Sequence, residues 1–469
     1  MMAMQRLTGA DATFLYGQTA RAPMEVCSVV VIDPSTASHE FDYERSLEWL
    51  SSRLHMAPPL RRRLVKVPLE LDHPVWIEDP DFDLEYHFRR AALPAPGAMG
   101  ELGDFVAQIL SRPLDLTRPL WEMHLVEGLV GGRVATVTKA HHAAVDGVAG
   151  MEMFASLVDL SPDAQPPPAP ESPWEPDVVP TQIELVASAM GNFLLQPVRG
   201  AKAARRLVRG VIDTRRRGGN LTEALGGARD VPVTRFNQPV SPHRRVRFFD
   251  LGLTETKKIK DTAGVMLNDV VLAAVGGGLR SYLIRHSELP DIPLKAFVPL
   301  STREDPAAAD GGNETSLIFV TLATDVDDPL KRLEVIAEAS RTAKAAHRES
   351  GPPPLTDLSE LTGSAAAAMT GRIMDRTRLN ARVRLGGNVV VSNIPGAPIP
   401  LYVDGARVEN VYPLGPLTDG NGLNITLFSY QDTLGFGVVA CRDQVPDIDV
   451  LVSDIRAAYL DIRDASKVS

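Results

Sequence analysis

Two adjacent histidines, with an aspartate and a glycine close behind them, form the most chemically distinctive segment of the chain, His141-His142-Ala143-Ala144-Val145-Asp146-Gly147. Imidazole titrates near neutral pH, so a neutral histidine is a natural base for removing a proton from a hydroxyl group. Gly147 permits an otherwise strained backbone, so Asp146 can fold back over a tight turn and hold the loop through an arginine or a backbone partner. The segment predicts general-base catalysis in a loop.

Other chemistry for this segment is less well supported. An isolated histidine is more often an ordinary core or surface residue, and a His-His pair with an aspartate could also bind a cation. The sequence near the two histidines contains neither a pair of cysteines nor a His-Glu-x-x-His helix, the patterns that would indicate a zinc site. The Gly-x-Ser-x-Gly pattern of hydrolases does not occur either. Direct attack by an activated external nucleophile therefore fits better than a covalent acyl-enzyme.

A strand must hold these histidines rigidly. Residues 133–140 form an extended run that ends directly before His141, and residues 121–127 form a second run, with glycines between the two. This pattern predicts a β-hairpin. Adjacent residues at the end of a strand point to opposite faces, so one histidine can face a channel while the other faces the interior. Apolar residues between 148 and 160 then predict a helix.

Asn268 and Asp269 are a second pair of polar candidates. They open a helical run, and as a bare residue an asparagine in that position is most simply an N-cap. The apolar stripe of the run consists of Val271, Ala274, Val275 and Leu279.

Composition excludes several classes of protein. The 469 residues suggest about two or three domains, and 44% hydrophobic residues are typical of a globular chain. A net charge of −10 does not favour nucleic-acid binding. The longest apolar runs reach about half of the ~20 residues that a membrane span needs, and residues 1–15 show no apolar signal-peptide core. Two cysteines cannot form a disulfide framework. We expect a cytoplasmic α/β or α+β protein.

The organisation along the chain predicts two similar-sized domains joined by a crossover. Residues 1–161 form the first and carry the histidines, residues 162–238 form the crossover, and residues 239–469 form the second. A buried strand is predicted at 26–33, a helix at 45–54 and a final helix at 449–464. Proline-rich residues 162–180 exclude a helix or a central strand.

The crossover combines an apolar helix with a basic segment. In the helix at 181–195, one face is predicted to carry Ile183, Val186, Met190, Phe193 and Leu194. Eight cations between 199 and 217 follow it. The pattern suits the anionic surface of a membrane or lipid droplet, and it also suits a helix packed across its own two domains.

Several segments, in order along the chain, resemble one family. The histidine segment resembles the active-site motif of CoA-dependent acyltransferases and condensation domains, and the full set is similar to the bacterial wax ester synthase/acyl-CoA:diacylglycerol acyltransferase family. The further matching segments are Arg118-Pro119-Leu120-Trp121-Glu122, Asn268-Asp269-Val270-Val271-Leu272-Ala273, Val298-Pro299-Leu300-Ser301-Thr302-Arg303, Gly312-Asn313, Val391-Ser392-Asn393-Ile394-Pro395-Gly396 and Ser429-Tyr430.

The resemblance implies two chloramphenicol-acetyltransferase-like domains with a tunnel between them. It implies that His142 is the general base, that His141 supports its geometry, and that Asp146 and Gly147 shape the loop. Asn268 and Asp269 become candidates for binding substrate or holding the reacting carbonyl. Trp121 is a further candidate, although core packing explains it most simply.

The implied reaction is esterification of a lipid hydroxyl by acyl-CoA, giving triacylglycerol, wax ester or both. Acyl-CoA is then a co-substrate, and no metal or redox cofactor is implied. The partners are diacylglycerol or a long-chain alcohol, with peripheral contact to the inner membrane or to lipid droplets. Two alternatives stay open: a condensation-type enzyme that takes its acyl group from a carrier protein, and a lipid-binding relative without activity.

The N-terminal segment departs from the family pattern. Asp11-Ala12-Thr13-Phe14-Leu15 is followed by Tyr16, Gly17 and Gln18, where members of the family often carry an acidic residue. Glu25 stands where the family usually has a histidine. If these positions line the acceptor side, the preferred alcohol differs from that of better-known members.

Overall fold

The fold is known from a computed structural model, which describes residues 5–145, 155–193, 230–301, 315–350 and 387–467, with positions 212, 364, 369, 371–373 and 376–377. Asp146 and Gly147 lie outside these residues. So do most of the helix predicted after the histidines and, apart from position 212, the basic segment at 199–217.

Fifteen strands and nine helices are described within these ranges. The strands are β1 Gln5–Arg6, β2 Glu25–Asp33, β3 Arg62–Val65, β4 Val75–Glu78, β5 Phe88–Ala92, β6 Trp121–Glu127, β7 Val134–His141, β8 Arg244–Gly252, β9 Lys295–Ser301, β10 Thr315–Thr321, β11 Val389–Ile394, β12 Tyr402–Val403, β13 Ala406–Leu414, β14 Leu423–Tyr430 and β15 Thr433–Cys441. The helices are α1 Gly9–Gly17, α2 Tyr43–Ser51, α3 Leu84–His87, α4 Met99–Leu110, α5 Gln182–Phe193, α6 Leu253–Ala263, α7 Leu267–Arg285, α8 Pro329–Ser350 and α9 Ile448–Ala465.

The first six-stranded sheet, in the order β12-β13-β2-β7-β6-β5, carries the histidines. β7 lies near its centre and pairs antiparallel with β2 and β6, which fixes the end of β7 from both sides. β13 comes from the predicted second domain and pairs with β2, Val408 opposite Ile32. The two halves of the chain therefore share this sheet.

The second six-stranded sheet has the order β10-β9-β11-β14-β15-β8, and α7 and α9 pack together in its half of the molecule. One apolar cluster unites the two sheets, since it contains Val137 of β7, Val246 of β8 and Val439 of β15. Gly437 permits this approach, because a Cβ atom there would lie 2.2 Å from the carbonyl oxygen of Pro413 in β13. A third, three-stranded sheet has the order β1-β4-β3.

Most predicted elements are confirmed. The strand predicted at 26–33 is β2, the hairpin is β6 and β7, and the final helix is α9. The helix predicted at 45–54 is α2, which ends earlier, at Ser51, and is followed by a 3₁₀ turn. The proline-rich residues 162–180 contain no helix or strand. They still pack on the first half, because the indole N–H of Trp174 donates to Glu78 at 2.8 Å.

The crossover helix does not pack through its predicted apolar face. In α5 the buried residues are Leu185 and Ala189, which pack against Val67 and Val75 beside the three-stranded sheet. Ile183 is 81% exposed and Met190 65% exposed, although the sequence pattern placed both on the apolar face. The helix therefore leaves an apolar strip in solvent.

Among the described residues no single helix is long and apolar enough to cross a membrane. α6 and α7 meet that criterion only as a pair, with a bend of 99° between them. Most of α7 is buried in the core of the second sheet.

Candidate active site

His141 is the last residue of β7 and is fully buried. Its Nδ1 accepts a hydrogen bond from the backbone N–H of Ala143 at 3.0 Å. The proton of the neutral ring must then lie on Nε2, from which it is donated to Oε1 of Gln18 at 3.0 Å. Both ring nitrogens are therefore engaged inside the protein.

The charge state of His141 follows from this setting. Burial, and next the adjacent His142, lower the pKa of His141 from 6.5 to about 4. A second ring proton would also face the Ala143 N–H, donor against donor. His141 is therefore neutral at physiological pH and is occupied with holding the turn.

His142 lies in the turn directly after β7 and is half-buried. Its backbone N–H donates to the carbonyl of Met24 at 2.8 Å, so the main chain is still tied to the neighbouring strand. The ring of Phe14, from α1, stacks on the imidazole with centroids 3.9 Å apart and planes inclined by 10°. The two histidines thus have different environments, as the alternation at a strand end predicts.

A buried charged cluster lies on the His141 face of the sheet. Lys139 is 1% exposed, and its ammonium contacts Glu122 at 2.8 Å and Glu25 at 3.4 Å. Burial raises the pKa of Glu25 despite the attraction of Lys139. Burial opposes ionisation of Glu122 too, but hydrogen bonds and charge from His124 and Lys139 outweigh it and lower the Glu122 pKa to about 2.

Glu25 is buried, so it does not meet the condition that it lines the acceptor side. It is 2% exposed, lies directly opposite His141 in the strand pairing, and accepts a hydrogen bond from the backbone N–H of Leu114 at 2.6 Å. Its carboxyl group therefore belongs to the support beneath the histidines.

Trp121 is a core residue beside β7. It is 3% exposed, its indole N–H donates to the Leu60 carbonyl at 2.7 Å, and its ring stacks on His87 with centroids 4.8 Å apart. Its neighbour Leu120 accepts a hydrogen bond from the backbone of His141 at 2.9 Å. The structure therefore fits the packing explanation for Trp121.

Asn268 and Asp269 begin α7, in the half of the molecule that contains the second sheet. The N-cap is Met266, so the N-cap interpretation of Asn268 is wrong. Asp269 supplies the cap contact instead, accepting a hydrogen bond from the Met266 N–H at 3.0 Å. Within the described part of the chain, the buried Oδ1 of Asn268 has no hydrogen-bond partner. Such an atom typically costs about 1–3 kcal/mol, which a bound ligand could recover.

The structure thus places His141, His142 and Trp121 at one strand end, and Asn268 and Asp269 at a helix start in the other half. Sequence reasoning did not identify two residues that contact the histidines, Phe14 and Gln18. Both belong to the N-terminal segment, in which the motif comparison pointed only to departures from the family pattern. Because Phe14 and Gln18 are far from the histidines in sequence, local sequence patterns cannot predict these contacts.

An open groove of about 770 Å³ lies elsewhere, between α8 and the strands β9 and β10. Phe319, Val335 and Ala343 contribute to its apolar wall. It belongs to the second sheet, so it does not define the site at the end of β7.

Comparison with known proteins gives two family matches. The family model for the wax ester synthase/diacylglycerol acyltransferase catalytic domain matches residues 7–271, and that for the WS/DGAT C-terminal domain matches residues 311–463. The chain is 38% identical over 451 residues to Mycobacterium tuberculosis Rv1760, whose name assigns it provisionally to the diacylglycerol O-acyltransferases. That alignment covers 95% of this chain and 88% of the relative.

Solved structures match over nearly the whole chain. The wax ester synthase/diacylglycerol acyltransferase of Marinobacter aquaeolei VT8 is 28% identical, with a TM-score of 0.71 and coverage of 99% of this chain and 100% of that one. The first condensation domain of the calcium-dependent antibiotic synthetase is 17% identical, with a TM-score of 0.58 and coverage of 98% and 97%. The predicted fold class is thereby confirmed.

Proposed function

The chain belongs to the wax ester synthase/diacylglycerol acyltransferase family, and from that premise we propose a mechanism in which His142 is the general base. The chain is an acyl-CoA-dependent O-acyltransferase, with acyl-CoA and an alcohol as substrates. We further propose roles for individual residues of the site, the class of acceptor alcohol, and the place in the cell where the enzyme acts.

The observation that carries the assignment of the base is the engagement of His141. A base needs a free lone pair, and both ring nitrogens of His141 are held by Ala143 and Gln18 in a fully buried position. His142 is half-buried and next in the chain. Its Nδ1 is buried, and we propose that Nε2 is the nitrogen that faces the substrate.

The proposed reaction is a direct transfer. The lone pair on Nε2 of His142 takes the proton of the acceptor hydroxyl. At the same time, the hydroxyl oxygen attacks the thioester carbonyl of acyl-CoA. The tetrahedral intermediate collapses, the C–S bond breaks, and the imidazolium returns the proton to the CoA sulfur. No group of the protein is acylated.

Three further roles are part of the proposal. His141 and Gln18 fix the turn that presents His142. Asp146 and Gly147 shape the same loop, outside the described residues. The amide of Asn268 holds the acceptor or the reacting carbonyl. Its buried Oδ1, which has no partner among the described residues, can accept from the acceptor hydroxyl, whereas a carbonyl would accept from its N–H. Asp269 serves as the helix cap.

We propose diacylglycerol, a long-chain alcohol or both as acceptors, reached through a tunnel between the two domains. The names of the relatives support both classes. A carrier-bound acyl donor is the alternative, and the condensation-domain matches support only its fold.

The proposed place of action is the cytoplasmic surface of the inner membrane or of lipid droplets, because the acceptors are nearly insoluble in water. The exposed Ile183 and Met190 on α5 support contact with lipid. Leu69 is 85% exposed in the turn Pro68–Glu70, which contacts α5. The eight cations at 199–217 follow α5 in sequence and suit anionic headgroups.

The test follows free CoA after mixing the purified protein with palmitoyl-CoA and either diacylglycerol or hexadecanol. We expect CoA release with at least one alcohol, and its loss by a factor of about 10²–10⁴ in His142→Ala with thermal stability unchanged. Wild-type turnover in that variant would end the assignment of the base. Ester formation only from a carrier-bound donor would favour the alternative.

A further inference from the structure

The stacking of Phe14 on His142 is closer than the core stacks Phe249–Phe436, with centroids 4.4 Å apart, and Tyr43–Phe88, with centroids 5.2 Å apart. The centroids are 3.9 Å apart and the planes are inclined by 10°. Neutral aromatic rings usually prefer offset or edge-to-face arrangements with centroids 4.5–7 Å apart. A ring face placed directly over an imidazole instead suits a cation, because the face of an aromatic ring is electronegative.

Helix α1 holds Phe14 in this position from several sides. Thr8 caps the start of the helix by accepting from the N–H of Asp11 at 3.1 Å. At its end, Gln18 is hydrogen-bonded to His141 at 3.0 Å. Between them, the hydroxyl of Tyr16 lies 3.0 Å from Nδ1 of His73. One helix therefore contacts both histidines, one through a ring face and the other through an amide.

We propose that Phe14 is a positioning residue of the acyl transfer: its ring fixes the orientation of the His142 imidazole and stabilises the imidazolium that forms when His142 takes the acceptor proton. This inference rests on the proposed role of His142 as the base. The stabilisation is larger for the charged ring than for the neutral one, so it favours the step in which the charge appears.

Other groups around His142 set the background of its titration. On α1, the helix that carries Phe14, the titratable groups are Asp11 and Tyr16, and on the strand it is His141, which is neutral at physiological pH. Burial raises the pKa of Tyr16 far above its usual value and lowers that of its partner His73, so both are neutral near pH 7. The cluster of Lys139, Glu25 and Glu122 lies on the His141 face of the sheet, and Asp146 lies outside the described residues.

The experiment compares Phe14→Leu with Phe14→Tyr. Leucine keeps apolar bulk but lacks a ring face, whereas tyrosine keeps the face. Diethylpyrocarbonate modifies only neutral imidazole. The rate of modification of His142 is measured from pH 5 to 9 by mass spectrometry of the peptide that contains it. The pH dependence of this rate gives the titration midpoint of His142 without substrate. Phe105→Leu is the matched control, since Phe105 makes an edge contact with His124 instead.

In Phe14→Leu we expect the titration midpoint of His142 to fall by about 0.4–1.5 pH units. In Phe14→Tyr and in Phe105→Leu we expect the midpoint to keep its wild-type value. The acidic limb of kcat/KM should move in the same direction, and kcat on the plateau should fall by about 2- to 30-fold. An unchanged midpoint in Phe14→Leu would overturn the inference and leave Phe14 as packing alone. The midpoint is measured without turnover, so it tests the role of Phe14 separately from the role of His142. If His142 were not the base, His142→Ala would keep its activity, whatever the midpoint in Phe14→Leu.

Discussion

Replacing His141 by asparagine tests the division of roles between the two histidines. The Oδ1 of asparagine can still accept from the Ala143 N–H, but the side chain cannot take up a proton. In the wild type, His141 has a pKa of about 4 when folded and about 6.5 when unfolded. The unfolded chain therefore binds more protons between these values, and stability falls as the pH is lowered through this window.

The magnitude follows from the two pKa values. Between pH 7 and pH 5, linkage predicts that His141 alone removes about 2 kcal/mol of unfolding free energy from the wild type. His141→Asn lacks this loss. Its stability at pH 7 is lower because the contact with Gln18 is missing, so the change between the two pH values is the quantity that matters.

Urea unfolding at pH 7 and pH 5, followed by tryptophan fluorescence, measures this change. All four tryptophans, Trp49, Trp76, Trp121 and Trp174, lie in the first 174 residues, so the signal reports on the half that carries His141. His39→Asn controls for the loss of a histidine as such. Equal losses between the two pH values in wild type and His141→Asn would refute the buried neutral state of His141 and, with it, the reason for excluding it as the base.

Three further outcomes are expected. Asn268→Ala should lower turnover by about 10²–10³-fold with the melting temperature unchanged, measured by CoA release and thermal unfolding, and a parallel loss of both would mean a structural role only. Lys139→Met should destabilise the fold by about 3–5 kcal/mol in urea, because two carboxyl groups lose their buried partner, and a loss below about 1 kcal/mol would contradict the described cluster. Ile183→Asp combined with Met190→Asp should weaken sedimentation with anionic liposomes without changing urea unfolding, and unchanged sedimentation would remove α5 from the proposed lipid contact.

Local patterns predicted the strand that holds the histidines but not the residues that complete the site. β6 and β7 alternate regularly and are separated by glycines, so the hairpin is encoded within about twenty residues. Phe14 and Gln18 lie more than a hundred residues from the histidines that they contact. No periodicity records such a contact, and only the order of the motifs suggested that the N-terminal segment belongs near the site.

The sequence could not predict which face of α5 is buried. The helix carries apolar residues on more than one face, and periodicity alone cannot choose which face is buried. The choice depends on the small three-stranded sheet, whose Val67 and Val75 receive Leu185 and Ala189. The pairing of β13 with β2 was hidden for a similar reason, because the partners Val408 and Ile32 come from opposite ends of the chain.

The neutral side chain at position 18 fits the same division of roles. A carboxylate 3.0 Å from Nε2 of His141 would favour the imidazolium form, since an opposite charge at this distance stabilises the protonated ring and raises the histidine pKa. A cationic His141 would then disfavour a second charge on His142, because the two rings already repel each other's protonated forms. The neutral amide of Gln18 binds the same nitrogen without this penalty. It therefore keeps His141 as a fixed, uncharged support, and His142 is the proposed acceptor of the proton.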